Sequence, residues 1–320
     1  MQVTGGASFI VSLPKEWAKR QGIKKNDKVG VIVRKDGSLF ITPKISKEYE
    51  ERKKEFMIDD IQNSNYIFRL LLGAYIVGYN VIIVKSRERI NPSVRKIIRN
   101  FIKTAIGLEI IEETKSSIMI KDFLNPSELP FEKAIRRIVS IVNSMHEDNV
   151  LALRNKDENL FYDIIARDDD IDRMHWLISR QYNILSRNSE ETIANYSIMS
   201  RILERIGDHA VRIANSSIKI LSILDDRLTE IIIEAEKMAM DIFKRSMQSF
   251  FDKNLEMAND SIERIKKLIN ACGNISNAAL QQESAMAIYL GYIGESIRRT
   301  GEYAGDLAEY VINYLIEDDT

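Results

Sequence analysis

Residues 203–215 read LERIGDHAVRIAN, and residues 297–309 read IRRTGEYAGDLAE, an offset of 94. A second pair precedes them in the same order. Residues 169–173 (DDIDR) align with 260–264 (DSIER), an offset of 91. Two segment pairs at nearly one offset mark an internal duplication, and a period this long reads as a repeated domain. Gly207 and Gly301 fall at matching places inside helical pattern, where glycine costs about 1 kcal/mol relative to alanine. Meeting that cost twice predicts that another helix passes closely at each. The boundary between copies is expected near Asp225–Asp226.

From residue 129 onward the pattern is helical. Ala134, Ile135, Ile138, Val142 and Met145 form one apolar stripe at 3.6 spacing, and no proline follows Pro130. An all-α bundle over 129–320 is expected, divided into three-helix units at 129–225 and 226–320.

The front of the chain differs. Ser8–Leu13 is rich in β formers, Pro14 suits the first position of a short helix over Lys15–Gln21, and Gly22 ends it. Val29–Val33 and Leu39–Thr42 read as strands joined through Asp36-Gly37, a hairpin turn signal. Residues 1–46 therefore form a small hairpin module. Lys47–Lys54 reads as a charged linker or short helix opening a connecting segment, 47–128. There a helix (Tyr66–Val77), a buried strand (Val81–Val84), a helix opened by Pro92 and the pair Leu108–Glu113 and Ile118–Lys121 make a small α/β unit. The fold class is multidomain α+β.

Composition limits the function classes. The 320 residues are 45% hydrophobic and 29% charged, with net charge −1. No overall field selects nucleic acid or membrane. Residues 1–44, however, hold nine Lys or Arg against three Asp or Glu, an excess of +6 that leaves −7 for the rest. The one cysteine, Cys272, suits a reducing compartment. No secretory leader and no membrane insertion are expected, so the chain reads as cytoplasmic.

The LERIGDHAVRIAN segment resembles the third-helix signature of the PhoU family, and DDDID at 168–172 resembles that family's acidic motif at its first interhelical turn. The resemblance spans roughly 129–318. It implies two tandem three-helix bundles, a role in phosphate homeostasis between a phosphate transporter and its signalling machinery, and metal bound on acidic motifs. The front segment GGASFIVSLPKEWAKRQGIKKNDKVGVIV resembles the AbrB/SpoVT swapped-hairpin DNA-binding family. The combination resembles a group of archaeal PhoU-related regulators.

Glu204 and Asp208 are i,i+4 and project together from one helix. Like charges so placed need a cation, either a neighbouring arginine (Arg201, Arg205 or Arg212) or a metal ion. Spacing alone favours the salt-bridged face; the resemblance raises the metal to equal standing. Asp168, Asp169 and Asp172 close the other half of such a site or cap their helix. In the second copy the acids are Asp260, Glu263, Glu302 and Asp306, but Arg298 stands where the first copy has Glu204. Mg, Mn, Fe, Zn and Ca are the candidate ions. Asp172 and His175 form an acid-x-x-His spacing, present once where di-iron bundles need two. His175 therefore reads as an ordinary helix residue, and His209, next to Asp208 but about 100° away, as remote from any ion.

Lys15, Lys19, Arg20, Lys24 and Lys25 cluster on the short helix and following turn, as contacts to a DNA backbone or as a solvated face. No phosphate-binding loop, dinucleotide fingerprint or nucleophile–base motif occurs. The expected function is a non-enzymatic, dimeric, DNA-binding regulator of phosphate uptake, with a transporter or signalling partner. The competing reading is a metal-dependent phosphohydrolase built on clustered carboxylates.

Overall fold

The computed structural model describes residues 2–4, 8–33, 38–42, 51–61, 63–124, 130–186 and 192–318. The chain divides into two units, 1–51 and 52–320. The expected Asp36-Gly37 turn and the first half of the expected linker, 47–50, lie outside the described residues.

The first unit has four short strands and one helix. β1 (Gln2–Thr4) pairs antiparallel with β2 (Ser8–Ile10), and β3 (Gly30–Val33) with β4 (Leu39–Thr42). α1 (Lys15–Arg20) follows Pro14 and ends at Gly22, whose φ of +69° glycine adopts freely. Asp27 accepts from the Lys24 amide at 2.7 Å and holds the next turn. No residue of α1 is buried. Val31, Val33 and Leu39 are all more than half exposed. Val31 pairs with Ile41 and Val33 with Leu39, so these four apolar positions share one face of the hairpin.

The second unit opens with a four-stranded sheet in the order β5-β6-β8-β7, from β5 (Lys53–Met57), β6 (Val81–Lys85), β7 (Leu108–Glu113) and β8 (Ser117–Asp122). β5 and β6 are parallel; the other pairings are antiparallel. Ile82 lies opposite Ile120 and Val84 opposite Ile118, and all four are buried with Ile67, Leu71 and Tyr75 of α2 (Ser64–Ile76) and Ile98 and Phe101 of α3 (Pro92–Thr104). Strand β5 corrects the expected linker or helix at its end, Lys53 and Lys54. Its residues Lys53, Lys54 and Glu55 are exposed, so an edge strand carries the charges that suggested a linker.

The remainder is helical: α4 (Phe131–Asn155), α5 (Glu158–Ala166), α6 (Asp168–Leu185), α7 (Thr192–Ile220), α8 (Asp226–Asp252), α9 (Leu255–Ala279) and α10 (Ser284–Asp318). α5 and α6 run on from each other across Arg167 and together form the middle rod of the first bundle. α8, α9 and α10 form the second, and the bundles meet along α7–α10 and α4–α8. One apolar core runs through both. The acidic run is therefore not in an interhelical turn: Asp168–Asp172 occupies the first turns of α6. Arg167 marks the break, tied to α4 by Asp148 at 2.5 Å and Ser144 at 2.8 Å.

Both signature glycines sit where helices touch. A methyl on Gly207 would stand 2.5 Å from Ile171 Cδ1 of α6, and one on Gly301 would overlap Leu268 Cδ2 of α9. Leu268 is fully buried in the core. Gly301→Ala is expected to destabilise the fold by ~1–3 kcal/mol despite alanine's better helix propensity, read as a lowered denaturation midpoint in urea.

α6 also fastens the bundle to the sheet unit. Arg180, 3% exposed, pairs with Asp122 of β8 at 2.6 Å, donates to the Tyr79 and Tyr75 carbonyls, and lies over the Tyr75 ring. Asn183 donates to the Ile76 carbonyl, and Trp176 meets Phe68 edge-on. Arg180→Ala leaves Asp122 buried without its cation and removes a donor from the Tyr79 and Tyr75 carbonyls, and should cost ~3–5 kcal/mol. The double change Arg180→Met with Asp122→Leu should cost less, as calorimetric melting of both variants can establish.

Candidate functional site

The contact at Gly207 decides where the acids go. Asp168 and Asp172 flank Ile171 on α6; Glu204 and Asp208 flank Gly207 on α7. When Ile171 seats against Gly207, the two i,i+4 pairs come together. Asp168, Asp172 and Glu204 are half-buried, and Asp208 stands at the exposed rim. Burial raises all four, Asp168 to about 6, Asp172 to about 7, and Glu204 and Asp208 above their usual range, and neighbouring carboxylates add to it at Asp168, Asp172 and Glu204. Asp169, exposed at the edge, adds to the field on Asp168 and Asp172. Arg201 and Arg205 oppose it at Glu204 and Asp208, with Arg212 the largest offset at Asp208.

The donor set, oxygen-only and anionic, fits a hard divalent ion. Among the described residues, however, no three His, Cys, Asp or Glu side chains already converge on a common metal position. The two histidines nearby do not join the set. His175 bonds Ser200 at 3.0 Å and is pushed down to about 4, by burial and then by Arg201. His209 is likewise pushed down to about 4, chiefly by burial.

The second copy solves the same charge problem with arginine. Glu302 is held by Arg298 at 2.6 Å and Arg299 at 2.8 Å, and Arg298 also clasps Glu295. Asp260 pairs with Arg245 at 3.0 Å, and Glu263 is exposed on α9. Asp306 is raised by burial and by Glu309 and Glu302. The expected second set of ligands is thus divided between ion pairs and solvent.

Between the bundles lies a buried pair that the sequence did not single out. His146 of α4 and Glu236 of α8 are both fully buried, with Nδ1 and Oε1 2.5 Å apart, while Nε2 lies 3.2 Å from the Ile206 carbonyl. No local spacing marks residues 90 positions apart. In the first unit, Lys15, Lys19, Arg20, Lys24 and Lys25 are all exposed.

The PhoU domain family profile matches residues 135–217, the span that holds α6, α7 and the acid cluster. The match thus falls within the first bundle of the helical half. The profile described as "Antidote-toxin recognition MazE, bacterial antitoxin" matches residues 2–49, so an AbrB-like module precedes it. Two curated relatives share the name phosphate-specific transport system accessory protein PhoU homolog. That of Clostridium acetobutylicum is 25% identical over 195 residues, 56% of this chain and 88% of its own. That of Borreliella burgdorferi is 27% identical over 217 residues, 61% of this chain and 91% of its own. The crystal structure of PhoU from Pseudomonas aeruginosa superposes with a TM-score of 0.53 at 20% identity, over 59% of this chain and 96% of that one. That likeness establishes the fold of the PhoU half. No helix among the described residues is long and apolar enough to cross a membrane.

The acid cluster predicts a pH dependence with a definite sign. An unfolded aspartate titrates near 3.9, whereas folded Asp172 holds its proton to about 7. The folded state therefore binds more protons between these values, and stability falls as pH rises from about 4 to 7. In chelator, Asp172→Asn should flatten this part of the melting-temperature profile and melt above the parent at pH 8. Identical profiles for parent and variant contradict the assignment.

Proposed function

We propose that this chain is a PhoU-type regulator of phosphate transport whose front module reads DNA. The observation that carries the reading is the union, in one chain, of a PhoU domain with a MazE/AbrB-like module bearing an exposed basic edge. The curated relatives are named as transport accessory proteins, and the chain is read as a regulator rather than an enzyme. Its partner on the PhoU side is a component of the phosphate transport system, and its place of action is the cytoplasm.

The module is read as a dimer. Its hairpin leaves Val31 56%, Val33 72% and Leu39 53% exposed, an apolar face on a unit too small to stabilise itself readily alone. A second copy covers it and sets two basic edges side by side, so that phosphate contacts add. Lysine and arginine contacts of this kind position the protein without reading bases.

The acid cluster is read as a cation site in which Asp168, Asp172, Glu204 and Asp208 hold a hard divalent ion. When bound, such an ion supplies positive charge that lets all four carboxylates ionise together. The second copy, with Arg298 and Arg299 already on Glu302, needs no ion.

The test is a fluorescence-anisotropy titration of duplex DNA from the protein's own upstream region at two salt concentrations. The parent should bind with a steep salt dependence. The variant carrying Lys19→Ala, Arg20→Ala and Lys24→Ala should bind more weakly on every sequence and with a shallower slope, by about one per lost phosphate contact. Equal binding and slope in the variant remove the basic edge as the DNA contact.

A further inference from the structure

The duplicated segments place like residues at like positions: Arg205 matches Arg299, and His209 matches Tyr303, each pair 94 apart. The fold brings all four together where α7 packs on α10. Arg205 Nη1 donates to the Tyr303 hydroxyl at 3.1 Å, and Arg299 Nη2 donates to the same oxygen at 2.7 Å. Both guanidiniums also lie over the Tyr303 ring, 5.7 and 4.5 Å from its centre. The His209 ring is 5.7 Å from the Tyr303 ring; His209 is 7% exposed, and its buried Nδ1 has no hydrogen-bond partner.

Two cations, one from each bundle, thus meet on a single neutral oxygen. Like charges this close repel, and a phenol oxygen offsets little of it. Glu302 takes the other nitrogen of Arg299 at 2.8 Å. Arg205 has no ion-pair partner among the described residues; Glu204 and Asp208 act on it only through space. Tyr303 accepts twice, and among the described residues nothing takes its own hydroxyl proton. The cluster is rich in donors and short of acceptors.

We propose that Arg205, Arg299 and Tyr303 form a binding site for a tetrahedral oxyanion at the junction of the two bundles. Guanidinium forks match such anions with paired, charge-assisted hydrogen bonds, and the tyrosine hydroxyl adds a third donor. The bound anion replaces a repulsion between α7 and α10 with a bridge, so occupancy tightens the junction. Arg205 lies between Glu204 and Asp208 in sequence, so a cation on the acid cluster strengthens oxyanion binding, and the coupling is reciprocal. This gives the regulator its ligand and rests on the regulatory reading for its biological sense, while the binding itself follows from α7 and α10 alone.

Isothermal titration of the full chain, in phosphate-free chloride buffer of fixed ionic strength, tests it with inorganic phosphate and with glycerol phosphate. Saturable binding is expected, weakened about ten-fold or more by Arg205→Gln and by Arg299→Gln, and by a smaller factor in Tyr303→Phe, which keeps the ring. Far-ultraviolet circular dichroism checks that each variant is folded; Arg205 is exposed, so its loss leaves the core intact. Tighter binding of phosphate assigns the site to the free anion, and tighter binding of glycerol phosphate to a phosphoester; both uphold the oxyanion chemistry. No saturable binding of either, or binding that survives both arginine changes, overturns the proposal. DNA binding measured on the same samples separates the readings: if it persists where oxyanion binding is absent, only the oxyanion site fails.

Discussion

The seating of Ile171 against Gly207 governs the chemistry of the first bundle. Without a side chain at 207, α6 comes close enough to α7 for its Asp168 and Asp172 to share a neighbourhood with Glu204 and Asp208. The packing is favourable and the placement of charge is not: burial raises all four carboxylates, and crowding by their neighbours adds to it at Asp168, Asp172 and Glu204. The second bundle repeats the packing, with Gly301 under Leu268, but resolves the charge differently. Arg298 stands in Glu204's place and joins Arg299 on Glu302. One solution to helix packing therefore carries two electrostatic outcomes, crowded carboxylates in the first bundle and an arginine-paired glutamate in the second.

α6 belongs to two cores at once. Ile171, Leu177 and Ile178 lie in the core of the bundles, while Trp176 packs against the sheet unit. Its first turns carry the acids, and about two to three turns later Arg180 is buried against Asp122. A buried ion pair is weak evidence for net stability, but this one also donates to the Tyr79 carbonyl just past a helix end and adds a second donor to the Tyr75 carbonyl, which already accepts from the Gly78 amide.

Much of this was legible in the sequence because it was local or repeated. The strands at 30–33 and 39–42, the buried strand from Val81 and the helix opened by Pro92 announce themselves by pattern and punctuation. Gly207 and Gly301 were read as points of close approach, and both are. Strand β5 was missed because an exposed edge strand carrying Lys53, Lys54 and Glu55 has the composition of a linker. The break at Arg167 has no glycine or proline to signal it; side-chain bonds to Asp148 and Ser144 on α4 hold that residue. Arg205 lies 98 positions from Tyr303, as His146 lies 90 from Glu236, and each pair meets only when the bundles pack. The repeat alignment contained the Arg205–Arg299 correspondence, but nothing in one dimension says that matching positions face each other.

The central claim is that one chain joins a PhoU bundle to a DNA-reading module, so that phosphate status is read out on DNA. Chromatin immunoprecipitation of the protein from cells grown in high and low phosphate addresses it directly. The account predicts enrichment upstream of phosphate-transport genes that changes with phosphate supply and is lost with Lys19→Ala, Arg20→Ala and Lys24→Ala. Absence of enrichment at any promoter under both conditions, with the protein present in the cells, would contradict it.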